Sequence, residues 1–125
     1  MVPNGWFGAF PNALSHVMVQ DYIAKYGGTT GFINADVAEA YSAGQVEAAA
    51  VKAVGGPDNS KIISYLHSGV TLASVQGPVQ FNSLGQNVKA IAFIFQWQNG
   101  KYVQVLPLGA TGSVAIINPK PHWSS

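Results

Sequence analysis

Apolar residues recur at helical spacing through Leu14, Val17, Met18, Tyr22, Ile23 and Tyr26. The spacing predicts an amphipathic helix over 12–26, with Asn12 as a candidate N-cap and Gly27-Gly28 as its stop. A second helix is predicted over 35–54, opened by Asn34 and ended by Gly55-Gly56-Pro57. Apolar residues fall nearly all round it, which marks a helix buried on most sides, and Ala40, Ala43, Gly44 and Ala48 permit close approach of a neighbour. A third, short helix runs from about Asp58-Asn59-Ser60 to Ser68, with Ile62, Ile63 and Leu66 inward and Gly69 as its stop. The period then changes. Strands are expected over 72–75 and 79–81, joined across Gly77-Pro78, then the turn Asn82-Ser83-Leu84-Gly85, then strands over 88–98 and 102–106.

Asn99-Gly100 between the last two runs is a strong hairpin signal, because a type I′ turn needs φ > 0 at both central residues. The two-residue loop sets Gln98 opposite Lys101 and Trp97 opposite Tyr102. One face then carries Ile91, Phe93, Phe95 and Trp97; the other carries Ala92, Ile94 and Gln96, with Val103 and Val105 across from them. Both faces are largely apolar. A two-stranded hairpin covers neither, so something else must sandwich it.

Composition sharpens that demand. The chain has 125 residues, 48% hydrophobic, enough for one small core. Only 9% are charged, against about 25% in an average globular chain. The deficit implies that part of the surface is covered by a partner, by more chain or by copies of itself. A net charge of +1 leaves no electrostatic footprint for nucleic acid or an anionic membrane. Without cysteine there is no disulfide, thiol chemistry or thiolate zinc site. No segment reads as a membrane span: Glu47 and Lys52 interrupt the most apolar helical stretch, and 90–95 has only strand length. No basic start precedes an apolar core at Met1, so a signal peptide is not expected in this chain.

Catalysis finds no support. His16, His67 and His122 sit on different elements with no second ligand at metal spacing. Asp36 and Glu39 stand one turn apart at a helix start, where acidic residues are favoured by the helix dipole. No Gly-x-Ser-x-Gly occurs, and Gly55-Gly56-Pro57-Asp58-Asn59-Ser60-Lys61 lacks the ending of a phosphate loop. No catalytic residue, metal or cofactor is expected. The aromatics remain. Trp97 and Tyr102 read first as a cross-strand packing pair. Trp6 and Phe7, in the turn-rich stretch 1–11, are the candidates for a ligand contact, because pockets are built on such irregular chain. Asp36 is a candidate acceptor for a ligand ammonium.

The order of these features resembles a known family. Gly5-Trp6-Phe7 with Pro11, the helix ending Tyr22-Ile23-Ala24-Lys25-Tyr26-Gly27, and Ala35-Asp36-Val37-Ala38-Glu39-Ala40-Tyr41-Ser42-Ala43-Gly44-Gln45-Val46 carry it first. Gln76-Gly77-Pro78-Val79-Gln80-Phe81, then Phe95-Gln96-Trp97-Gln98-Asn99-Gly100-Lys101, Val105-Leu106-Pro107 and Pro119-Lys120-Pro121-His122-Trp123 complete it. Together they look like the carboxy-terminal part of the type I periplasmic solute-binding proteins of branched-chain amino acid and amide ABC transporters. The resemblance implies an α/β chain with a partial type I periplasmic-binding-protein fold: three helices, then antiparallel strands and a hairpin. It divides this single partial unit into a helical part (1–69), crossing strands with the terminal hairpin (70–107) and an extended tail (108–125).

In that family two α/β lobes joined by three crossings hold a small amino acid or amide in the cleft between them. The resemblance therefore implies a periplasmic or extracellular, non-enzymatic binding protein that works with a membrane ABC permease. This chain would be about the last third, a fragment with an incomplete cleft. The family's upstream ligand-gripping residues have no counterpart here, so only the cleft-edge loop at Trp6-Phe7 and the helix start at Asp36 carry over as ligand-binding positions. The missing remainder of the receptor, or identical subunits, would cover the apolar faces. The alternative is a self-assembling structural protein whose apolar faces are buried between copies, by strand addition or domain swapping.

Overall fold

The computed structural model describes residues 1–110 and 112–119, with Val2 and Pro3 described through their backbone alone. In chain order the elements are β1 (Val2–Asn4), α1 (Ala13–Tyr26), a 3₁₀ turn (Thr30–Phe32), α2 (Ala35–Val54), α3 (Asn59–Leu66), β2 (Leu72–Ser74), β3 (Gly77–Val79), β4 (Phe93–Gln98) and β5 (Lys101–Leu106). They fall into two compact units: Trp6–Ile91, and Met1–Gly5 with Ala92–Ser125.

The first of these units is built on capped helices. The Asn12 side chain accepts from Leu14 N at 2.9 Å, and Gly27, at φ 74°, returns its N–H to Ile23 O. Asn34 accepts from Val37 N, so both predicted caps form, and Asp58 accepts from Lys61 N to cap the third helix. Helix α2 buries Ala38, Ser42, Val46 and Ala50, a single stripe at four-residue spacing. The expected burial on most sides is not found: Tyr41 is 46% exposed, and Gly44 and Ala48 face solvent. The reason is that α3 and β2 are its neighbours within this unit, and together they cover only one side. In α3, Ile63 points outward, against expectation, while Ile62 and Leu66 are half-buried.

β2 and β3 pair antiparallel, with Leu72 opposite Val79 and Ser74 opposite Gly77. The turn is Val75-Gln76, two residues before the expected join at Gly77-Pro78, which instead lies within β3. Ser74 explains the displacement. Its hydroxyl donates to Gly77 O at 2.8 Å and accepts from Gln76 N at 3.2 Å, closing a turn with its own side chain. Gly77 takes φ 100°, a conformation that disfavours a side chain. Of the predicted strand over 79–81, Val79 ends β3 and Phe81 forms an isolated bridge to Asn87.

The second unit is a three-stranded antiparallel sheet in the order β1-β4-β5. Gln98 pairs with Lys101 and Trp97 with Tyr102, as the Asn-Gly loop requires; Asn99 and Gly100 have φ of 51° and 72°. Further along, Phe95 faces Gln104 but Ile94 faces Leu106, so Val105 is the extra residue of a bulge and does not sit across from Ile94 as expected. β4 starts at Phe93, not at Val88. β1 was not foreseen. It is three residues long and contains Pro3, which lacks a donor and is tolerated because β1 is an edge. The run 113–117 adds no strand; Val114 N alone donates to the β5 backbone, at Gln104 O, 2.9 Å. The expected extended tail lies outside the described residues beyond Pro119, as does His122. No described helix is long and apolar enough to cross a membrane.

Candidate functional site

The loop before α1 is folded tightly on itself. Phe10 N donates to Phe7 O and Asn12 N to Phe10 O, both at 2.8 Å. Trp6 is 1% exposed, and its indole N–H donates to Ser15 Oγ at 2.8 Å, with Ser15 itself fully buried. Trp6 is thus an anchor between the loop and the first turn of α1. Phe7 is half-exposed and meets Phe10 edge to face, 5.9 Å between centroids at 86°. Phe10 is buried, so it gives Phe7 a fixed backing.

Gly8 brings the loop against the 3₁₀ turn. A methyl group at position 8 would collide with Thr30 Cγ2 and lie 3.3 Å from Thr30 O. Four residues after Thr30 comes the Asn34 cap, and Asp36 sits exposed in the first turn of α2. Among the described residues no cation pairs with Asp36. The structure therefore sets the loop carrying Trp6 and Phe7 directly against the turn that leads to Asp36. Gly8→Ala is expected to destabilise this unit by about 1–3 kcal/mol, the usual cost of overpacking. Adding Thr30→Ala should recover much of that loss in urea-denaturation midpoints; no recovery would mean that the obstacle is not the Thr30 methyl group.

Two polar side chains whose long-range bonds the sequence did not reveal hold β2 and the turn after it in place. Asn12 Nδ2 donates to Ser74 O at 2.8 Å, in addition to the capping bond of its oxygen. Gln45 Oε1 accepts from Val75 N at 2.8 Å. Gln45 stands among small apolar residues in mid-helix, and that contrast was the available signal. Asn12 read only as a cap, because its second partner lies 62 residues away.

An open groove of about 350 Å³ runs beside this junction, lined by Leu14, Thr71, Leu72, Ala73, Pro78, Gly77, Asn12 and Ser74. Its wall is mostly apolar, and the side-chain groups of Asn12 and Ser74 are already spent on the backbone. In the sheet unit, Phe95 stacks on Tyr102 at 4.6 Å and 9°, and Trp97 leans on Tyr102 at 5.4 Å and 52°. Burial pushes the Tyr102 phenol above its ordinary value. No group of His, Asp and Glu able to hold a metal occurs among the described residues.

Three solved structures share the chain's architecture. A solute-binding protein of an ABC transporter from R. palustris, in complex with benzoate, matches with a TM-score of 0.64 and 23% identity over 82% of this chain. The leucine-binding protein LivK of Thermotoga maritima matches at 0.67 and 19% over 82%. This is part of the periplasmic-binding-protein fold. A further ABC-transporter solute-binding protein, from Rhodopseudomonas palustris BisB5 in complex with 3,4-dihydroxybenzoic acid, matches at 0.60 and 17% over 80% of the chain. The chain spans 28%, 28% and 27% of these three proteins, so the periplasmic-binding-protein fold is partial here. No protein-family model and no curated protein matches the sequence.

Proposed function

We propose that this chain is the carboxy-terminal portion of an exported solute-binding component of an ABC transporter, delivering a small amino acid or amide to a membrane permease. The observation that carries the reading is the likeness of at least four-fifths of the chain to three ABC-transporter solute-binding proteins. The ligands of these neighbours, leucine, benzoate and 3,4-dihydroxybenzoic acid, all bear a carboxyl group. The role is binding, not catalysis. The periplasm or cell exterior is the place where such a receptor meets its solute.

Within this reading the loop at Trp6-Phe7 and the start of α2 form one edge of the cleft. Trp6 fixes the loop, Phe7 offers the half-exposed ring, and Asp36 offers an unpaired carboxylate to a ligand ammonium. A charge-assisted bond of that kind is worth about 1.5–3 kcal/mol, roughly ten- to a hundredfold in affinity. Asp36→Asn in the two-lobed protein that carries this sequence should therefore weaken an amino acid by that factor and leave an aromatic acid, which has no ammonium, unchanged. Phe7→Ala should weaken both. Calorimetric titration reads these changes, and equal loss of both ligands in Asp36→Asn would remove Asp36 from the site. With the cleft incomplete, the 125-residue chain alone should bind weakly or not at all. Tight one-to-one binding of an amino acid by its monomer would sink the reading.

A further inference from the structure

Residues 113–117 form no strand, yet they are seated on the β4–β5 hairpin through their main chain. The Gln96 amide pairs with both polar groups of Ile117: Nε2 donates to Ile117 O and Oε1 accepts from Ile117 N, each at 3.0 Å. Gln98 Nε2 donates to Ala115 O at 2.8 Å and braces Gln96 Oε1 at 2.7 Å. Val114 N donates to Gln104 O at 2.9 Å. On the segment's side each of these bonds uses a backbone N–H or C=O. Its side chains are only partly covered: Val114 is 40% and Ile116 36% exposed, and Ser113 and Ile117 are half-buried.

A primary amide that both donates to and accepts from one residue does to an extended chain what a neighbouring strand would do. The Gln96 amide and a second, that of Gln98, which donates to Ala115 O from the same face of β4 two residues on, make a seat that recognises extended backbone through its main-chain groups. The segment now on it belongs to the same chain, and a second copy carries the identical segment with the same donors and acceptors. We infer that this seat is an exchange site at which residues 113–117 of a second copy replace the chain's own, giving a dimer joined by reciprocal tails. Exchange conserves every bond just described, so its cost lies in association and in opening the connection between Leu106 and Ser113. A tethered segment competes at millimolar effective concentration, so the exchanged form grows with protein concentration. This inference does not depend on the transport reading.

The test uses the full chain. Ile117→Pro deletes the N–H that Gln96 accepts and so loosens the chain's own segment without altering the seat. A labelled peptide of residues 113–119 should bind this variant at least about tenfold more tightly than the unmodified chain, by fluorescence anisotropy. Gln96→Leu in the same background should abolish the gain, and a peptide with proline in place of Ile117 should not bind. A scrambled peptide of the same apolar residues should bind nearly as well. In sedimentation, the unmodified chain should show a dimer that rises with concentration and that excess peptide converts to monomer. No peptide binding by an Ile117→Pro chain with an unchanged circular dichroism spectrum would overturn the inference. Should that variant fail to fold, a dimer of the unmodified chain indifferent to excess peptide, or a monomer at every concentration, would overturn it equally.

Discussion

Replacing Trp6 with alanine is expected to destabilise the Trp6–Ile91 unit by about 3–5 kcal/mol, the range for truncating a buried tryptophan. Small domains hold only about 5–15 kcal/mol in total, so this one substitution removes a large share of the stability. Two terms add. The ring is 1% exposed, and its removal leaves a cavity between the loop and α1; its N–H also supplies the 2.8 Å bond to buried Ser15. Trp6→Phe separates them, because it keeps most of the volume and loses the donor. That change should cost about 1–2 kcal/mol, and Ser15→Ala about as much. The double variant should cost less than the sum of the singles, since both remove the same bond. Urea denaturation followed by circular dichroism gives all four values. Near-neutral behaviour of Trp6→Ala would mean that the ring is not a structural anchor.

Asn12→Ala should be the second largest loss, about 1–3 kcal/mol. The lost cap accounts for about 1 kcal/mol and the lost bond to Ser74 O for about as much again. Asn12→Ser and Asn12→Asp keep an oxygen for Leu14 N and give up the donor to Ser74, so they should fall between wild type and alanine. Amide hydrogen exchange distinguishes the two jobs. In the serine and aspartate variants α1 should keep its protection while the Leu72–Val79 pair exchanges faster. Equal loss of protection in α1 would show that the cap fails too. In either case Asn12 couples a helix start to a hairpin that lies far along the chain.

What the sequence made legible was local. Asn12, Asn34 and Asp58 open their helices because each cap needs only an oxygen and a neighbouring N–H. Asn99-Gly100 set two residue pairs correctly because a two-residue loop leaves no freedom in register. What failed was non-local. A bulge at Val105 broke the register four residues from the turn, where pairing depends on packing and no longer on the loop. β1 exists only because β4 presents an edge about ninety residues later. Ser74 moved a turn that Gly77-Pro78 seemed to own, through a hydroxyl whose two bonds no pattern records. The candidate site divides in the same way. That Trp6 and Phe7 share a turn-rich loop was visible. That one ring is enclosed and the other half-open was not, since periodicity says nothing about irregular chain.

The contrast between two of these rings has a use. Trp6 lies in the dry interior of one unit, and Trp97, 66% exposed, stands on the sheet of the other. With Trp123 replaced by phenylalanine, the chain carries one enclosed tryptophan emitting at shorter wavelength and one exposed tryptophan emitting at longer wavelength, the second open to acrylamide. Each unit then reports its own melting in a single cuvette, and the order in which the two colours change tells whether the sheet outlives the helices or follows them.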